Sequence, residues 1–538
     1  MVSCGMAAGL TACSDWNDHY ESAADGGAAN GTLWEQMKAN PQLSDFCDVL
    51  EQTKVYRMHK KTPVSYKDIL SGGQAFTVMA PVNATFNKDS LLQLVQTVVG
   101  DSAVEKGFVK NHITRSLASL TPNASKLLML NQKHLWMENG QIDGVNVTVP
   151  NTKTSNGLFH ILAHGLSYKH NLYEMFCDNP SLSLIGDNLR SFNEDEFDPD
   201  ASVSNGVIDG VPIYVDSVVY ERNRLLGYKD KEVIGFLNAE DSTYLVVAPT
   251  TEGWNEAYNE VSKYFVFDDT VEKRDSLQQY YTMRALMEDA VFNMTDQKSI
   301  YDSLISVPYI HTTKTFEKGK KVYHVFYKPF ESGGIMYGAT PLECSNGILY
   351  ATPKWPFNAL DTYFKEIYAE VENQDLLLDR KSGSYNTRRV TADSISNNAY
   401  LQIIPETSTS NWEMTFRINN TLSGDYDVCA IILPQSVNDK ANTNPCKFKA
   451  TISYTDEQNK TQTFNCGNKQ FQSNPERVDT VVLAEAFHFP VCNYDQDKLA
   501  VSVKLTCSIL PRETSRYSRE MLLDCIYLRP RISKSEEQ

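Results

Sequence analysis

One pattern of apolar and polar residues occurs twice in the first two thirds of the chain, and a different, alternating pattern fills the last third. Residues 76–87 read FTVMAPVNATFN and residues 244–255 read YLVVAPTTEGWN. Each copy predicts a buried apolar strand, an Ala-Pro pair that stops further strand pairing, a polar turn, and an aromatic residue that opens an amphipathic helix. The sequence therefore predicts one supersecondary unit that is used twice.

A second pair of landmarks follows in the same order. SNGLFH stands at 155–160 and SNGILY stands at 345–350. Two landmarks in register indicate an internal repeat. Between the landmarks of the first copy, the dipeptide Asn139-Gly140 predicts a hairpin turn.

The pattern changes in the last third of the chain. Residues 398–531 contain short runs in which apolar and polar residues alternate, and no long helical pattern. Such runs at even spacing predict the strands of an antiparallel β-sandwich. The preceding segment, 361–397, contains a polar stretch at 380–384 and is expected to be a connector.

The repeated residues carry a family resemblance. A strand followed by Ala-Pro-x-Asn-x-x-Phe, and later by Asn-Gly-x-x-His, resembles the two signature segments of a fasciclin (FAS1) domain. The second copy is divergent, because Thr251 replaces the first Asn and Tyr350 replaces the His. The resemblance covers residues 33 to 356 and implies structural roles for the matching residues. In the first copy these are Ala80, Pro81, Asn83, Phe86, Asn156, Gly157 and His160.

The expected fold class is therefore α+β and multidomain. Two fasciclin-like (FAS1) α+β domains precede a C-terminal antiparallel β-sandwich, which resembles a jelly-roll, galactose-binding-like module. A chain of 538 residues agrees with the usual size of about three domains. The expected boundaries are 1–12 for a partial lipoprotein signal, 13–32 for a tether, 33–177 and 178–360 for the fasciclin-like domains, 361–397 for the connector and 398–538 for the sandwich.

The first residues favour a lipid anchor. MAAGLTAC at 6–13 resembles the lipobox that is cleaved before the Cys of bacterial lipoprotein precursors, which implies that Cys13 carries lipid. The run lacks a basic start and is short for a complete signal, so an accidental match stays open. The acidic residues after Cys13 resemble the surface-export signal of lipoproteins from SusC/SusD-type systems. This resemblance implies a surface-exposed lipoprotein in the outer membrane of a Gram-negative bacterium.

Charge and cysteine content exclude several classes of function. The formal net charge is −17 and the pI is near 5.1, so the chain lacks the basic surface that nucleic acid binding needs. None of the 11 cysteines forms a C-x-x-C motif, and several of those after the signal, such as Cys429 and Cys525, are expected to serve as small core residues. The acidic insertion at 193–200 lacks the Gly of an EF-hand loop and is expected to be a solvated loop. No metal or other cofactor is expected.

No catalytic motif is recognisable. His160 and His164 lie four residues apart on a predicted strand, which places them about 13 Å apart, too far to share a metal ion. A structural His160 is therefore expected, and no catalytic residue is assigned. A core or edge position is the favoured interpretation of Trp412, and its polar neighbours Ser410 and Asn411 leave a ligand platform as the alternative.

These observations predict a non-catalytic surface lipoprotein. The expected function is adhesion, or capture of glycan or peptide nutrients, as an accessory component of a SusC/SusD-type uptake assembly. Its expected partners are the outer-membrane transporter and the SusD-like lipoprotein, with the insertion at 193–200 facing one of them. The alternative is a glycan- or peptide-active hydrolase whose active site has no recognisable motif.

Overall fold

The computed structural model describes residues 31–532 except 58–59, 209–210, 229–230, 308, 312–319, 391–394 and 468–469. Cys13 and nearly all of the expected tether lie outside the described residues. The chain divides into two compact units. The first ends at Lys169 and also includes 204–218, and the second comprises 170–203 and 219 onward. Within the described residues, no helix has the length and apolar content needed to cross a membrane.

The first unit begins with short helices that pack against a sheet. The helices are α1 Leu33–Lys38, α2 Ser44–Gln52, α3 Tyr66–Leu70, α4 Lys88–Leu94 and α5 Val98–Val104. The strands are β1 Lys54–Arg57, β2 Lys60–Ser65, β3 Phe76–Pro81, β4 Ile113–Thr114, β5 Ser125–Leu128, β6 His134–Glu138, β7 Gln141–Ile142, β8 Val145–Thr154 and β9 Gly157–Leu162.

A parallel pair of strands lies inside the main sheet of the first unit. The strand order is β4-β3-β9-β8-β7-β6-β5, and β3 runs parallel to β9 with Phe76 opposite Gly157. Strand β3 is buried along its whole length, because both of its faces are covered. Val78 packs in the cluster that contains the helices, whereas Met79 packs with apolar residues of β5 and β6. The buried strand that the sequence predicts is present.

The second unit starts with a repeat of this arrangement. Its helices are α6 Leu172–Asp178, α7 Ser183–Arg190, α8 Thr251–Ser262 and α9 Arg274–Met287. Strands β10 Asn193–Ile208 and β11 Val211–Asn223 include residues 204–218, which belong to the first unit. The strands that follow in the second unit are β12 Gly227–Tyr228, β13 Lys231–Glu232, β14 Tyr244–Pro249, β15 Val291–Asn293, β16 Ser303–Ile305, β17 Tyr309–His311, β18 Lys320–Val322, β19 Val325–Tyr327, β20 Thr340–Cys344 and β21 Gly347–Thr352.

The central parallel pair of the first unit recurs here. Strand β14 runs parallel to β21, with Tyr244 opposite Gly347, in a sheet of order β15-β14-β21-β20. Helix α6 belongs to this repeat, because the backbone N–H of Leu172 donates to the side chain of Asn346 at 2.8 Å. The second repeat therefore begins near residue 170, earlier than the expected boundary between 177 and 178.

Glycine is required at the start of both β9 and β21. Gly157 has a φ of 146° and Gly347 has a φ of 152°, which side chains rarely allow. A Cβ atom at Gly157 would lie 2.0 Å from the carbonyl oxygen of Phe76, and one at Gly347 would lie 1.9 Å from that of Tyr244. The close approach of the paired strand explains why the Asn-Gly dipeptide occurs in both copies.

Two sheets with a shared core form the C-terminal sandwich. One has the order β24-β25-β33-β27-β31 with β22 also paired to β33, and the other has the order β23-β26-β32-β28-β29 with β30 also paired to β28. All of these strand pairs are antiparallel. The strands are β22 Ile367–Glu370, β23 Leu377–Lys381, β24 Gly383–Arg389, β25 Ala399–Pro405, β26 Glu413–Ile418, β27 Gly424–Leu433, β28 Lys447–Thr455, β29 Thr461–Asn465, β30 Phe471–Gln472, β31 Asp479–Phe489, β32 Val501–Cys507 and β33 Met521–Arg531.

Two sequence-based expectations about connecting segments are wrong. Segment 361–397 is not a connector, because it supplies β22, β23 and β24 to the sandwich. Strands β23 and β24 are largely exposed edge strands, so they lack the apolar alternation that reveals a covered strand. The insertion at 193–200 is not a loop either, because it lies in β10, which pairs with β11, and Glu194 forms an ion pair with Arg224 at 3.2 Å.

Candidate functional site

The asparagine of each Asn-Gly dipeptide, Asn156 or Asn346, hydrogen-bonds both to the first residue of a helix and to carbonyl groups of a loop. Asn156 accepts the backbone N–H of Leu33 at 2.7 Å and donates to the carbonyl oxygens of Leu70 and Gly72 at 2.9 and 2.7 Å. Asn346 does the same for Leu172, and it donates to the carbonyl oxygens of Leu237 and Ala239, each at 2.9 Å. Both side chains are buried and use their donors and acceptor internally, so both have structural roles.

The other motif residues of the first copy are also used internally. Asn83 accepts the backbone N–H of Asp45 at 3.0 Å and donates to the carbonyl oxygen of Pro41 at 2.8 Å. Ala80 and Pro81 are the buried end of β3. Phe86 is partly buried, with its ring centroid 5.0 Å from that of Phe108. These residues shape the turn after β3 rather than a ligand site.

His160 is a buried histidine whose two ring nitrogens both have backbone partners. Its Nδ1 accepts the N–H of Asn151 at 3.1 Å and its Nε2 donates to the carbonyl oxygen of Ala118 at 2.9 Å. Burial lowers the pKa of His160, which agrees with a neutral ring. His164 is exposed, so the two rings do not share a site. Among the described residues, no group of three or more His, Cys, Asp or Glu side chains is placed to hold a metal ion.

Trp412 is not a ligand platform. Its side chain is 0 % exposed, and its indole N–H donates to the carbonyl oxygen of Arg519 at 2.6 Å. Trp412 begins the inward-facing series that continues with Met414 and Phe416 in the sandwich core. Trp412 stands just before β26 and continues its alternation, so its side chain points to the same inner face as Met414 and Phe416. The polar residues before Trp412 do not determine this orientation.

A cleft of about 600 Å³ opens within the second unit, between helix α9 and the sandwich. Its lining comes from separate parts of the sequence, including 281–288, 362–376 and 419–426. The hydroxyl of Tyr281 donates to Asp495 at 2.9 Å, and the backbone N–H of Ser423 donates to the carbonyl oxygen of Tyr264 at 3.0 Å. These bonds join the second repeat to the sandwich, and both contribute to one apolar core. The cleft therefore lies within a single packed unit.

An exposed tyrosine forms one wall of the cleft. Tyr368 lies on β22, is 48 % exposed, and stacks on Tyr527 of β33 with centroids 5.3 Å apart and planes at 13°. Its hydroxyl donates to Glu366 at 2.5 Å. The stacking on Tyr527 and the hydrogen bond to Glu366 together hold the ring in one orientation. A held, exposed ring presents an apolar face to a ligand.

Amide and carboxylate groups supply the polar part of the lining. The asparagines are Asn373, Asn397, Asn419 and Asn420, and the carboxylates include Glu366, Glu370 and Glu372. The side chain of Asn419 has no hydrogen bond to any other described residue. Amides both donate and accept, whereas carboxylates accept. This combination suits a ligand that carries several hydroxyl groups.

Two basic residues also line the cleft. Arg284 is paired with Glu288, one turn further along the chain. Burial raises the pKa of Glu288, and the charge of Arg284 opposes that shift. Lys365 has a lowered pKa because of burial, and the nearby carboxylates of Asp289 and Asp361 oppose that shift.

A polar cluster lies next to Lys365. His324 Nδ1 is 2.6 Å from Asp289 Oδ1, which also accepts the hydroxyl of Ser306 at 3.1 Å. His324 Nε2 contacts the amine of Lys365. The carboxylate holds the imidazole in one orientation, which places the second ring nitrogen at the lysine that lines the cleft. A histidine held in this way can accept and donate a proton.

Three carboxylates come together at one side of the cleft. Glu370 accepts the hydroxyl of Ser396 at 2.5 Å, and Glu372 accepts the side-chain amide of Asn397 at 3.1 Å. Asp524 is 1 % exposed and accepts the backbone N–H of Ser396 at 3.2 Å. Burial raises the pKa of Asp524 to about 7, and the charges of Glu370 and Glu372 add to that shift.

Stability is expected to depend on pH through Asp524. Because its pKa is higher in the folded chain than in an unfolded one, the folded state keeps a proton that the unfolded state releases, and stability falls as pH rises from about 4 to about 7. Asp524→Asn mimics the protonated acid and should stabilise the second unit by about 1–3 kcal/mol at pH 8, but by little at pH 4. Denaturant melts at both pH values measure this difference.

Asp379→Asn serves as the control, because Asp379 is an exposed carboxylate on the edge strand β23. This variant should match the parent at both pH values. An equal effect of Asp524→Asn at pH 4 and pH 8 would contradict a pH-dependent role of Asp524.

The comparisons with known proteins find no matching family model and no matching curated protein. Among solved structures, the xylan-binding domain CBM22-1 of Paenibacillus barcinonensis Xyn10C is 13% identical, with a TM-score of 0.21, covering 31% of this chain and 93% of that one. A FAS1 domain pair from the insect cell adhesion molecule Fasciclin I is 12% identical, with a TM-score of 0.18, and the match covers 61% of this chain and 97% of that one. A xanthan lyase from Paenibacillus is 15% identical, with a TM-score of 0.22, and the match covers 35% of this chain and only 16% of the lyase.

Proposed function

We propose that the chain is a non-catalytic, surface-anchored protein that captures a neutral glycan in the cleft of its second unit. The main support is the exposed ring of Tyr368, which stacks on Tyr527 and lies beside amide and carboxylate side chains in a cleft of about 600 Å³. That volume lies in the usual range for small-molecule sites. The two repeats serve as fasciclin-like domains and the sandwich as a galactose-binding-like module.

The chemistry of the lining favours a glycan over an apolar or strongly charged ligand. A sugar ring has an apolar C–H face that fits against an aromatic ring, and hydroxyl groups at its edge that bond to amides and carboxylates. Arg284 is already neutralised by Glu288. The glutamates around Tyr368 would repel an anionic ligand.

Loss of the Tyr368 ring should weaken binding. Tyr368→Ala is expected to lower affinity for the bound glycan about tenfold, which corresponds to about 1.4 kcal/mol. Isothermal titration calorimetry with oligosaccharides from xylan, galactomannan and mixed-linkage β-glucan measures the affinities. Tyr337→Ala removes another exposed tyrosine, outside the cleft lining, and should leave them unchanged. Equal affinities for Tyr368→Ala and the parent would refute the assigned site.

The proposed localisation is the outer-membrane surface. The run at 6–13 and the acidic and Ala/Gly-rich residues that follow it support a lipid anchor at Cys13. Cys13→Ala should therefore move the protein from the membrane fraction to the soluble fraction, which immunoblotting of fractionated cells measures. A single acyl chain binds membranes only marginally, so stable attachment implies several chains. Unchanged membrane association of the variant would disprove anchoring through Cys13.

The proposed setting is a SusC/SusD-type uptake assembly. The resemblance of the residues after Cys13 to a surface-export signal supports it. Tethering to one membrane raises the effective concentration of partners, so modest contacts suffice to hold the assembly together. Extraction in mild detergent and purification through a C-terminal tag should recover a transporter and a SusD-like lipoprotein. Recovery of the chain alone in every mild detergent would leave it outside such an assembly.

Hydrolysis of a glycan or peptide is the second candidate function, and the Asp289–His324 pair beside Lys365 favours it. In that case His324 would act as the proton carrier at the cleft. Incubation of the chain with the bound oligosaccharide, followed by chromatography of the products, separates the two functions. Turnover that disappears in His324→Asn would favour hydrolysis, whereas binding without turnover would favour capture.

A further inference from the structure

A group of aliphatic side chains lies exposed on the first unit, at the corner where helix α4 meets helix α5. Leu94 is 45 % exposed, Val98 is 59 % exposed and Val99 is 82 % exposed. Leu94 is the last residue of α4, and the two valines are the first residues of α5. Single exposed aliphatic residues are ordinary, whereas a group of them indicates an interaction surface.

Hydrogen bonds and close packing hold this corner in place. The hydroxyl of Tyr56 donates to the carbonyl oxygen of Val98 at 2.8 Å, and the backbone N–H of Thr97 donates to that of Leu94 at 3.1 Å. A Cβ atom at Gly100 would lie 2.3 Å from the same carbonyl oxygen of Leu94, so glycine is what lets α5 approach the end of α4. The exposed valines therefore belong to a packed corner.

The antiparallel strand pair β1–β2 borders the corner and is strongly basic. Residues 52–67 include five Lys or Arg residues and no Asp or Glu, in a chain whose net charge is −17. Lys61 forms an ion pair with Asp101 of α5 at 2.6 Å, and the backbone N–H of Lys54 donates to the same carboxylate at 3.1 Å. Asp101 is 0 % exposed, whereas Lys60 is exposed. The surface therefore combines aliphatic side chains with positive charge.

We propose that this corner, formed by Leu94, Val98 and Val99 beside the basic strands β1 and β2, docks on an anionic lipid surface. Aliphatic side chains gain free energy when they enter the interfacial region of a bilayer, and acidic headgroups attract lysines. An acidic protein is the other partner that such charge would attract. Protein interfaces are centred on aromatic and arginine side chains in packed pockets, but the exposed apolar side chains of this corner are small and aliphatic, which favours lipid.

This contact is separate from the lipid anchor proposed at Cys13. An acyl chain keeps a protein near a membrane by its own insertion into the bilayer. The corner would add a second contact and would turn α4 and α5 of the first unit toward the lipid.

Cosedimentation with vesicles measures the docking, and the full chain carries Cys13→Ala so that no acyl chain at residue 13 contributes. We expect binding to vesicles of two parts phosphatidylcholine and one part phosphatidylglycerol, and about tenfold weaker binding to phosphatidylcholine alone. High salt should weaken the binding, because it screens the charge of the headgroups. Equal binding to both kinds of vesicle would overturn the proposal. Absence of binding to the mixed vesicles would overturn it too, in favour of an acidic protein.

Two variants test the corner itself. The double variant Val98→Ser, Val99→Ser removes exposed apolar area and should weaken binding to the mixed vesicles about tenfold. Lys60→Gln removes one positive charge and should weaken it about fivefold. Circular dichroism should show that both variants fold like the parent, since the substituted side chains are exposed. Lys60→Gln decides the question if the valine variant does not fold.

Trp136→Ser provides a matched control in the same unit. Trp136 is 52 % exposed on β6, but it shares its strand face with the exposed carboxylate of Glu138. This variant should therefore bind the mixed vesicles as the parent does. Parent-like binding of the folded valine variant or of Lys60→Gln, or weaker binding of Trp136→Ser alone, would place the lipid contact elsewhere and overturn the proposal.

Discussion

Asn156→Ala is expected to lower the free energy of unfolding of the first unit by about 3–5 kcal/mol. The side chain makes three hydrogen bonds to buried or partly buried backbone groups, of Leu33, Leu70 and Gly72. Alanine would leave one N–H and two carbonyl groups without these partners, and each unsatisfied buried group costs about 1–3 kcal/mol. Asn346→Ala removes the equivalent three bonds and should destabilise the second unit by a similar amount.

Denaturant unfolding followed by fluorescence measures both effects. Asn123→Ala replaces an exposed asparagine of the first unit and should change stability by no more than about 0.5 kcal/mol. If Asn156→Ala unfolded at the same denaturant concentration as this control, the side chain would not hold the helix start to the loop.

Trp412→Ala is expected to destabilise the second unit by about 4–5 kcal/mol, because it empties a large volume in the sandwich core. The indole is 0 % exposed and packs with Met414 and Phe416. The substitution also removes the indole N–H from the carbonyl oxygen of Arg519. Calorimetric melting of the full chain should show the corresponding loss in the transition of the second unit.

Trp412→Phe keeps most of the apolar volume and should cost less, about 1–2 kcal/mol. This variant also separates the core role from a ligand role. Its affinity for the captured glycan should equal that of the parent, since Trp412 does not line the cleft. A folded Trp412→Phe variant with tenfold weaker binding would reinstate the tryptophan as part of the site.

Local signals made the repeated units predictable. The apolar runs of β3 and β14 end at Ala-Pro, and the Asn-Gly dipeptides open their parallel partners β9 and β21. The hairpin dipeptide was equally informative, because Asn139 and Gly140 adopt φ values of 52° and 77° between paired β6 and β7. In these places a few adjacent residues determine the backbone, so the pattern is readable without tertiary contacts.

The edge strands were not recognised from the sequence, whereas the favoured core position of Trp412 is confirmed by its burial. Strands β23 and β24 carry mostly polar residues because each lies at the edge of its sheet. For Trp412, the alternation with Met414 and Phe416 was a usable signal of an inward side chain, whereas the polar residues before it indicated the wrong environment.

The cleft itself could not be found from the sequence. Its walls come from a helix of the second repeat, from β22 and from loops of the sandwich that lie more than 100 residues away in the chain. No short sequence pattern indicates that residues so far apart in the chain line one cleft. The alternation of Glu366, Tyr368 and Glu370 with apolar Ile367 and Ala369 does indicate one outward polar and aromatic face, but not what stands opposite it.

Hydrogen–deuterium exchange of the full chain, with and without a saturating oligosaccharide that it binds, tests whether the cleft of the second unit captures the glycan. We expect slower exchange in peptides that cover 362–376 and 419–426, which both line the cleft. Peptides of the first unit, such as those that cover β3 and β9, should exchange at unchanged rates. Slower exchange confined to the first unit, or to sandwich strands away from the cleft, would contradict glycan capture at this site.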